Sequence, residues 1–549
     1  MQNTLQKTPP SPRLVVGIVV DQMRHDYLER YWDNFGKGGF KRLIGEGYNF
    51  DHCNYNYVPT ETAPGHASIF TGTTPSNHGI IMNGWLDQTE MARGIVRAHS
   101  SVHDTTYPLM GFPAERILGR GASPHFLEAS TIADQVKAAT NGKGKTIGVS
   151  LKDRSAILPA GKSADAAFWF EDGTGNMISS SYYPAMQAGT PAWLDSINAL
   201  RMPMRYLSEK AGWNLLLDAS QYVSPDGPND ARYEGAYDRI GTANFPHKFR
   251  FNPLYCCGNF KSTPYGNIFL KDFAKEVIQQ YELGEDEVMD FLSLSFSSTD
   301  MVAHQFGPHS REVEDTYLRL DRDLEDFLNF LDDRFGKGKV LVFLTADHGG
   351  APNPTYAKDH GGKGGWLEGL QLHRKIRKQL GDQVGQDSLL LRVQGHTIYL
   401  NRRLAKTRNL DLDSLSQVVV SAADDFPGVR KAYTAAQIAK ISAPTGPERL
   451  LKNGFYPERS GDVLYLTTYG YMQSPYGASQ PWRHKKGTSH GSVYEYDTHV
   501  PLMYWGWRIP AKQSDAAVLI PDIAPTICGL LGIEAPNKST GKATFQIEQ

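Results

Sequence analysis

Leu14-Val15-Val16-Gly17-Ile18-Val19-Val20, ending in Asp21, is the stretch on which the fold turns. A run with no polar side chain, rich in Val and Ile, reads as a strand buried on both faces, as in the middle of a parallel sheet. Three further runs share its character and its sequel. Thr146 to Leu151 is followed by Lys152-Asp153-Arg154, Met289 to Phe296 by Ser297-Ser298-Thr299-Asp300, and Val340 to Leu344 by Thr345-Ala346-Asp347-His348-Gly349-Gly350. Polar residues thus recur just past the carboxyl ends of buried strands, the edge of an open α/β sheet where ligands bind.

Between the strands the pattern turns helical. Tyr317, Leu320, Leu324, Leu328 and Leu331 keep helical spacing, with Gly336 as a stop. Ser130 to Ala139 and Ile268 to Tyr281 also read as helices. Thr62 reads as the N-cap of a helix with Pro64 in its first turn. This alternation predicts an α/β fold, a doubly wound α/β/α sandwich with a largely parallel central sheet. One domain spanning residues 13–535 is expected, after a polar tail, 1–12. Two insertions, at about 200–264 and 350–461, are each long enough to cap the sheet edge. Lys358 to Gly365, rich in glycine, reads as a mobile loop.

Composition narrows the function. The 549 residues carry a net charge of -2, so no global basic field for nucleic acid exists and any phosphate must be held locally. No run reaches the roughly 18 apolar residues of a membrane span. Cys53, Cys256, Cys257 and Cys528 lack metal-finger spacing, and the sequence fixes no disulfide among them.

The chemistry concentrates in Asp21, Asp300, His304, Asp347, His348 and His490. Asp300 and His304 have the spacing of two ligands on one helical turn, and His490 sits among glycines in Gly487-Thr488-Ser489-His490-Gly491. Oxygen and nitrogen donors without thiolate suit Zn²⁺, with Mn²⁺ an alternative. Two such ions about 4 Å apart make a clamp for in-line phosphoryl displacement. Thr62, in Thr60-Glu61-Thr62-Ala63-Pro64-Gly65-His66, is a hydroxyl at a helix start, placed to act as nucleophile. His66, one turn on, reads as a residue for packing or a local hydrogen bond rather than a base.

These residues resemble the alkaline phosphatase superfamily in its nucleotide pyrophosphatase/phosphodiesterase-like branch, and within it the bacterial zinc-dependent alkaline phosphatases of the PafA/PhoK type. The matching pieces run from Val19-Val20-Asp21-Gln22-Met23-Arg24 through Thr62 to His66, Thr71 to Pro75, His78 to Ile80, Ser298 to His304 and Thr345 to Gly349, to Gly487 to Gly491. The resemblance implies two Zn²⁺: one on Asp21, Thr62, Asp347 and His348, the other on Asp300, His304 and His490. It implies that Asn83, in Met82-Asn83-Gly84-Trp85, binds a phosphoryl oxygen, and that Lys152 and Arg154 form the Lys-x-Arg pair of the monoesterases. A monoester dianion carries one more charged oxygen than a diester, and two cations aimed at it favour the monoester.

The expected function is therefore alkaline phosphatase activity: hydrolysis of small phosphate monoesters, over a broad range, through a phosphothreonine at Thr62. The alternatives are a phosphodiesterase or nucleotide pyrophosphatase on the same metals, and an inactive metal- or phosphate-binding protein. The resemblance also implies export to the periplasm or outside the cell. A monomer is expected, with no nucleic-acid or membrane partner, and a structural Ca²⁺ is left open.

Overall fold

In the computed structural model, residues 11–546 are described, except 112–118, 210–211, 225–231, 238–242, 250–255, 477–478 and 481. Residues 1–10 of the expected tail, and parts of the first insertion, lie outside them.

The four apolar runs form strands Leu14–Val20, Thr146–Ser150, Asp290–Phe296 and Val340–Thr345, each buried along its whole length. They belong to an 11-stranded sheet. At its centre Val340–Thr345, Leu14–Val20, Asp290–Phe296, Thr146–Ser150 and Ala166–Glu171 are consecutive parallel neighbours. His499–Gly506 runs antiparallel beside Val340–Thr345 and pairs in turn with Tyr48–Asn54. The expected largely parallel sheet is thus its middle, and the flanks are mixed.

Register sets the height at which each polar sequel emerges. Val19 is level with Ser295 and Thr345, and Ser295 with Ser150. Two residues beyond that line lie Asp21, Asp347, Ser297 and Lys152, so one layer of the sheet's carboxyl edge collects them. Helices cover both faces. Thr62–Thr71, Ile132–Ala139, Asp153–Ala160 and Ile523–Leu531 contact one another on one side, while Pro264–Gln280, Ser298–Phe306 and Arg311–Phe335 do so on the other. Arg311–Phe335 ends at Gly336, whose φ of 89° suits glycine. The helix expected from Ile268 begins at Pro264, because a proline with no N–H to satisfy fits the first turn.

The second insertion builds a layer of its own. Leu390–Gln394, Thr397–Leu400, Val463–Thr467 and Val429–Thr434 form a four-stranded antiparallel sheet in that order. Helices Gly369–Val384 and Leu412–Asp424 cover it through a separate core that includes Leu372, Ile376, Val419 and Tyr465. Its boundary lies past the expected residue 461, because Val463–Thr467 supplies an inner strand of this sheet. The glycine run 361–365 is tethered at both ends, by helix Pro354–Asp359 and by pairing of Gly365 and Trp366 with Tyr471 and Met472. The described part of the first insertion packs partly on Arg311–Phe335, where Trp213 Nε1 donates to Asp315 at 2.6 Å and His247 Nε2 meets Glu312 at 2.7 Å, and partly beside the His490 loop, where the Tyr233 carbonyl accepts the Gly487 N–H at 2.7 Å. Cys53 and Cys528 are buried free thiols.

One buried histidine ties stability to pH. His78 bonds Ser68 Oγ through Nε2 at 3.0 Å and accepts the Ile80 N–H at Nδ1. Burial lowers its pKa to about 3, whereas the unfolded chain titrates near the ordinary value of about 6.5. Its contribution is complete above about pH 6.5 and is lost as pH falls toward 3. His78→Gln is expected to flatten the fall in unfolding free energy between pH 6 and 4 by about 1.4 kcal/mol per unit. Denaturant titrations across that range check it, and identical slopes for the two proteins would refute it.

Candidate active site

All six candidate ligands converge at the carboxyl edge. Asp21 and Asp347 end neighbouring strands, and Asp300 and His304 occupy successive turns of helix Ser298–Phe306. Asp21, Asp347 and His348 present donor atoms within 4.8 Å of one another, and so do Asp300, His348 and His490. His304 Nε2 lies 3.1 Å from Asp300 Oδ1. His348 is within ligand reach of both groups, and its ring stacks on His490 at 3.6 Å. Among the described residues no other such group of three occurs.

The histidines are oriented for a metal. His304 Nδ1 donates to Thr488 O at 2.8 Å, His348 Nδ1 to Gly349 O at 2.8 Å and His490 Nδ1 to Thr60 O at 2.7 Å. A proton fixed on each Nδ1 leaves the Nε2 lone pair facing the carboxylates, the usual arrangement around metal-ligating imidazoles. His348 Nε2 and one oxygen or more of Asp21 and Asp347 are buried without a hydrogen-bond partner. Orphaned acceptors in a protein interior are rare. Here they are all acceptors and all converge, so the donor set fits divalent cations.

Electrostatics give the same picture. Burial, followed by repulsion from Asp347, raises Asp21 well above the usual carboxylate range. Burial opposes the charges of Asp300 and Asp347 too, but their neighbours outweigh it: His304 and Lys152 hold Asp300 well below its ordinary value, and His348 together with a hydrogen bond from His66 lowers Asp347. Lys152 Nζ sits 2.7 Å from Asp21 Oδ2 and 2.6 Å from Asp300 Oδ2. Burial works against its charge, and the two carboxylates more than compensate, raising its pKa.

Thr62 stands 3.4 Å from that ammonium through its Oγ1. It is the first residue of helix Thr62–Thr71 rather than the expected N-cap; Glu61 holds the cap position, without a side-chain capping bond. The Thr62 hydroxyl is therefore not committed to an amide at the helix start. His66 is held by hydrogen bonds: Nδ1 faces Thr62 O and Nε2 faces Ser295 Oγ, each at 2.8 Å, and Nδ1 also lies 3.3 Å from Asp347 Oδ2.

Asn83 is pinned beside Thr62 at two points. Its N–H donates to Glu61 Oε2 at 2.8 Å, and its Oδ1 accepts the Ala63 N–H at 2.9 Å. With the carbonyl end occupied, the amide NH₂ is the end available to the cavity it lines. Arg154 is less closely engaged. Its Nη1 lies 3.5 Å from Asp153 Oδ1, its Nε is buried without a hydrogen-bond partner, and its charge acts on both Glu61 and Lys152.

With this geometry in place, likeness to known proteins is informative. Residues 15–492 match the sequence model of the family described as Type I phosphodiesterase / nucleotide pyrophosphatase. The chain belongs to this family. It is 38% identical over 539 residues to alkaline phosphatase PafA of Elizabethkingia meningoseptica, covering 98% of this chain and 95% of the relative. It is 37% identical over 543 residues to alkaline phosphatase PhoV of Synechococcus elongatus, covering 98% and 93%. The crystal structure of wild type PafA matches the whole fold with a TM-score of 0.89 at 37% identity, over 98% of this chain and 99% of that one. The chain is a hydrolase with an alkaline phosphatase-like fold.

Two contributors escape a reading of the sequence. Gln22 adopts a left-handed φ of 60°, donates its N–H to Asp347 Oδ1 at 3.1 Å and its Nε2 to Asp300 Oδ1 at 2.6 Å, and so touches carboxylates of both ligand groups. Nothing but its position after Asp21 hinted at this. Gly65 packs so closely that a Cβ would fall 2.2 Å from Asp347 O. Gly65→Ala is expected to push the Thr62 helix away from Asp347 and lower kcat by roughly a hundredfold, the scale of a 1 Å misplacement. Steady-state kinetics with circular dichroism check this; near wild-type kcat would show the spacing to be tolerant.

Proposed function

We propose that this chain is an alkaline phosphatase that hydrolyses phosphate monoesters through a covalent phosphothreonine on Thr62. One observation carries the reading: Lys152 Nζ lies at once beside Thr62 Oγ1 and between the carboxylates of Asp21 and Asp300. A cation there meets the extra charged oxygen of a monoester dianion just where the nucleophile would attack. The PafA and PhoV relatives, named alkaline phosphatases and aligned over nearly the whole chain, support it.

Asp21, Asp347 and His348 with Thr62 would hold one Zn²⁺, and Asp300, His304 and His490 a second, supplying Lewis acidity for the attacking and leaving oxygens. Thr62 Oγ attacks phosphorus in line, the bond to the leaving alcohol breaks, and the alcohol departs with a proton. The Asn83 amide donates to a non-bridging oxygen, while Lys152 and Arg154 balance the dianion. Water then attacks the phosphothreonine from the vacated side, frees Thr62 and releases phosphate; two inversions give net retention. The family's own description makes diester hydrolysis the second reading. Lys152 and Arg154 count against it, because a diester presents an organic group where they expect charge. A broad substrate range, a monomeric state and export complete the proposal.

Hydrolysis of an aryl monophosphate is expected to exceed that of an aryl alkyl diester; the reverse preference would refute the monoesterase reading. Chelation should abolish both activities, and Zn²⁺ should restore them. Lys152→Ala is expected to lower monoester kcat/KM by roughly a hundredfold or more and diester kcat/KM far less, and equal losses would remove its discriminating role. Thr62→Ser should stay active while Thr62→Ala loses the phosphoenzyme, which acid-quench labelling with a phosphate-labelled substrate reads directly.

A further inference from the structure

A cavity of about 350 Å³ opens beside Asn83, His304 and His490, on the side from which a leaving alcohol would depart. The second insertion contributes His396 to its walls, the segment after its sheet contributes Tyr471, Gln473 and Tyr476, and Glu61 and Asp497 complete them. The charge on those walls is one-sided. Among the described residues that line it are two carboxylates and no lysine or arginine. Burial lowers the His396 pKa to about 4, raises that of Asp497 to about 7 and lifts Glu61 above the usual carboxylate value, so at alkaline pH the imidazole is neutral and Asp497 is charged. The carboxylates are built in rather than splayed on a surface. Glu61 Oε2 accepts the Asn83 N–H at 2.8 Å, and Asp497 Oδ2 accepts the Ser492 N–H at 2.7 Å, while Asp497 Oδ1 is buried with no hydrogen-bond partner.

We infer that this chamber receives the leaving alcohol and sorts it by charge, admitting neutral and amine-bearing alcohols and disfavouring those with a second anionic group. The inference rests on the phosphomonoesterase reading and deepens it. The site has two electrical ends. Lys152 and Arg154 serve a single phosphoryl dianion, and away from the candidate ligands His304 and His490 the described walls of the chamber present no lysine or arginine to a second anion. An added carboxylate or phosphate would leave water for a confined space walled by Glu61 and Asp497, where repulsion is poorly screened. An ammonium group there meets two carboxylates, and the tyrosine rings tolerate a cation. Within the broad range proposed, nucleoside triphosphates, bisphosphates and phosphorylated acids are therefore the slower substrates, and aminoalcohol and polyol phosphates the faster ones.

The test uses the zinc-loaded enzyme and matched alkyl monophosphates: 3-aminopropyl, 3-hydroxypropyl and 3-carboxypropyl phosphate, with p-nitrophenyl phosphate as reference. The amino substrate is expected to exceed the carboxyl substrate in kcat/KM by tenfold or more, with the hydroxyl substrate between. Glu61→Gln keeps an acceptor for the Asn83 N–H and removes only the charge, so it should shrink that ratio several-fold; Asp497→Asn should do the same. A wild-type ratio within twofold overturns the inference, and so does a ratio that neither variant changes. If one variant fails to fold, the wild-type series and the other variant decide. Turnover of p-nitrophenyl phosphate with a flat series sinks the charge selection alone. No turnover of any monoester sinks the phosphomonoesterase reading and this inference with it.

Discussion

Three carboxylates, Asp21, Asp300 and Asp347, are buried together at one edge of the sheet, and the rest of the site is organised around keeping them there. Buried like charges repel and lose hydration, so they persist only where cations and donors surround them. Lys152 bridges Asp21 and Asp300. Gln22 ties Asp300 to Asp347 through its side chain and backbone. Three imidazoles turn their Nε2 atoms toward the same point. Such concentrated negative charge contributes little to stability and much to chemistry, since it is the environment in which divalent cations bind.

The sheet makes the cluster possible. Parallel strands in register deliver their sequels to one level, and the residues after Val20, Ser150, Phe296 and Thr345 fall within side-chain reach. The helix Thr62–Thr71 is brought against this edge by a contact only glycine allows, Gly65 on the Asp347 carbonyl. The candidate nucleophile and candidate ligands are thus positioned by backbone packing rather than by flexible side chains, which suits a reaction that depends on alignment. The cap forms a second layer with its own core, and its sheet edge closes the chamber beside His490. Lys152 thus stands among the carboxylates at the sheet edge, and the chamber beyond is walled by Glu61 and Asp497.

Much of this was legible in the sequence for simple reasons. A fully apolar strand such as Leu14–Val20 announces burial on both faces, and the polar residue that ends it announces the ligand edge. Asp300 and His304 advertise themselves by helical spacing, and Asp347-His348 by adjacency after a strand. Errors arose where local pattern and tertiary demand diverge. Thr62 has the composition of an N-cap, yet it lies one residue inside the helix. The cap runs past residue 461 because Val463–Thr467 joins its sheet, a pairing that strand propensity leaves undetermined.

What the sequence determined by itself was the set of chemical groups and their order on alternating strands and helices, because burial and periodicity are local properties written in residue type. What only the tertiary structure decided was which groups meet. Lys152 between two carboxylates, Gln22 in a left-handed turn touching both ligand groups, Asn83 locked by Glu61 and Ala63, and Asp497 at the wall of the alcohol chamber all depend on contacts between residues 20 to several hundred positions apart. Such contacts are set by strand register and close packing, which residue types permit in many combinations and the folded chain realises in one.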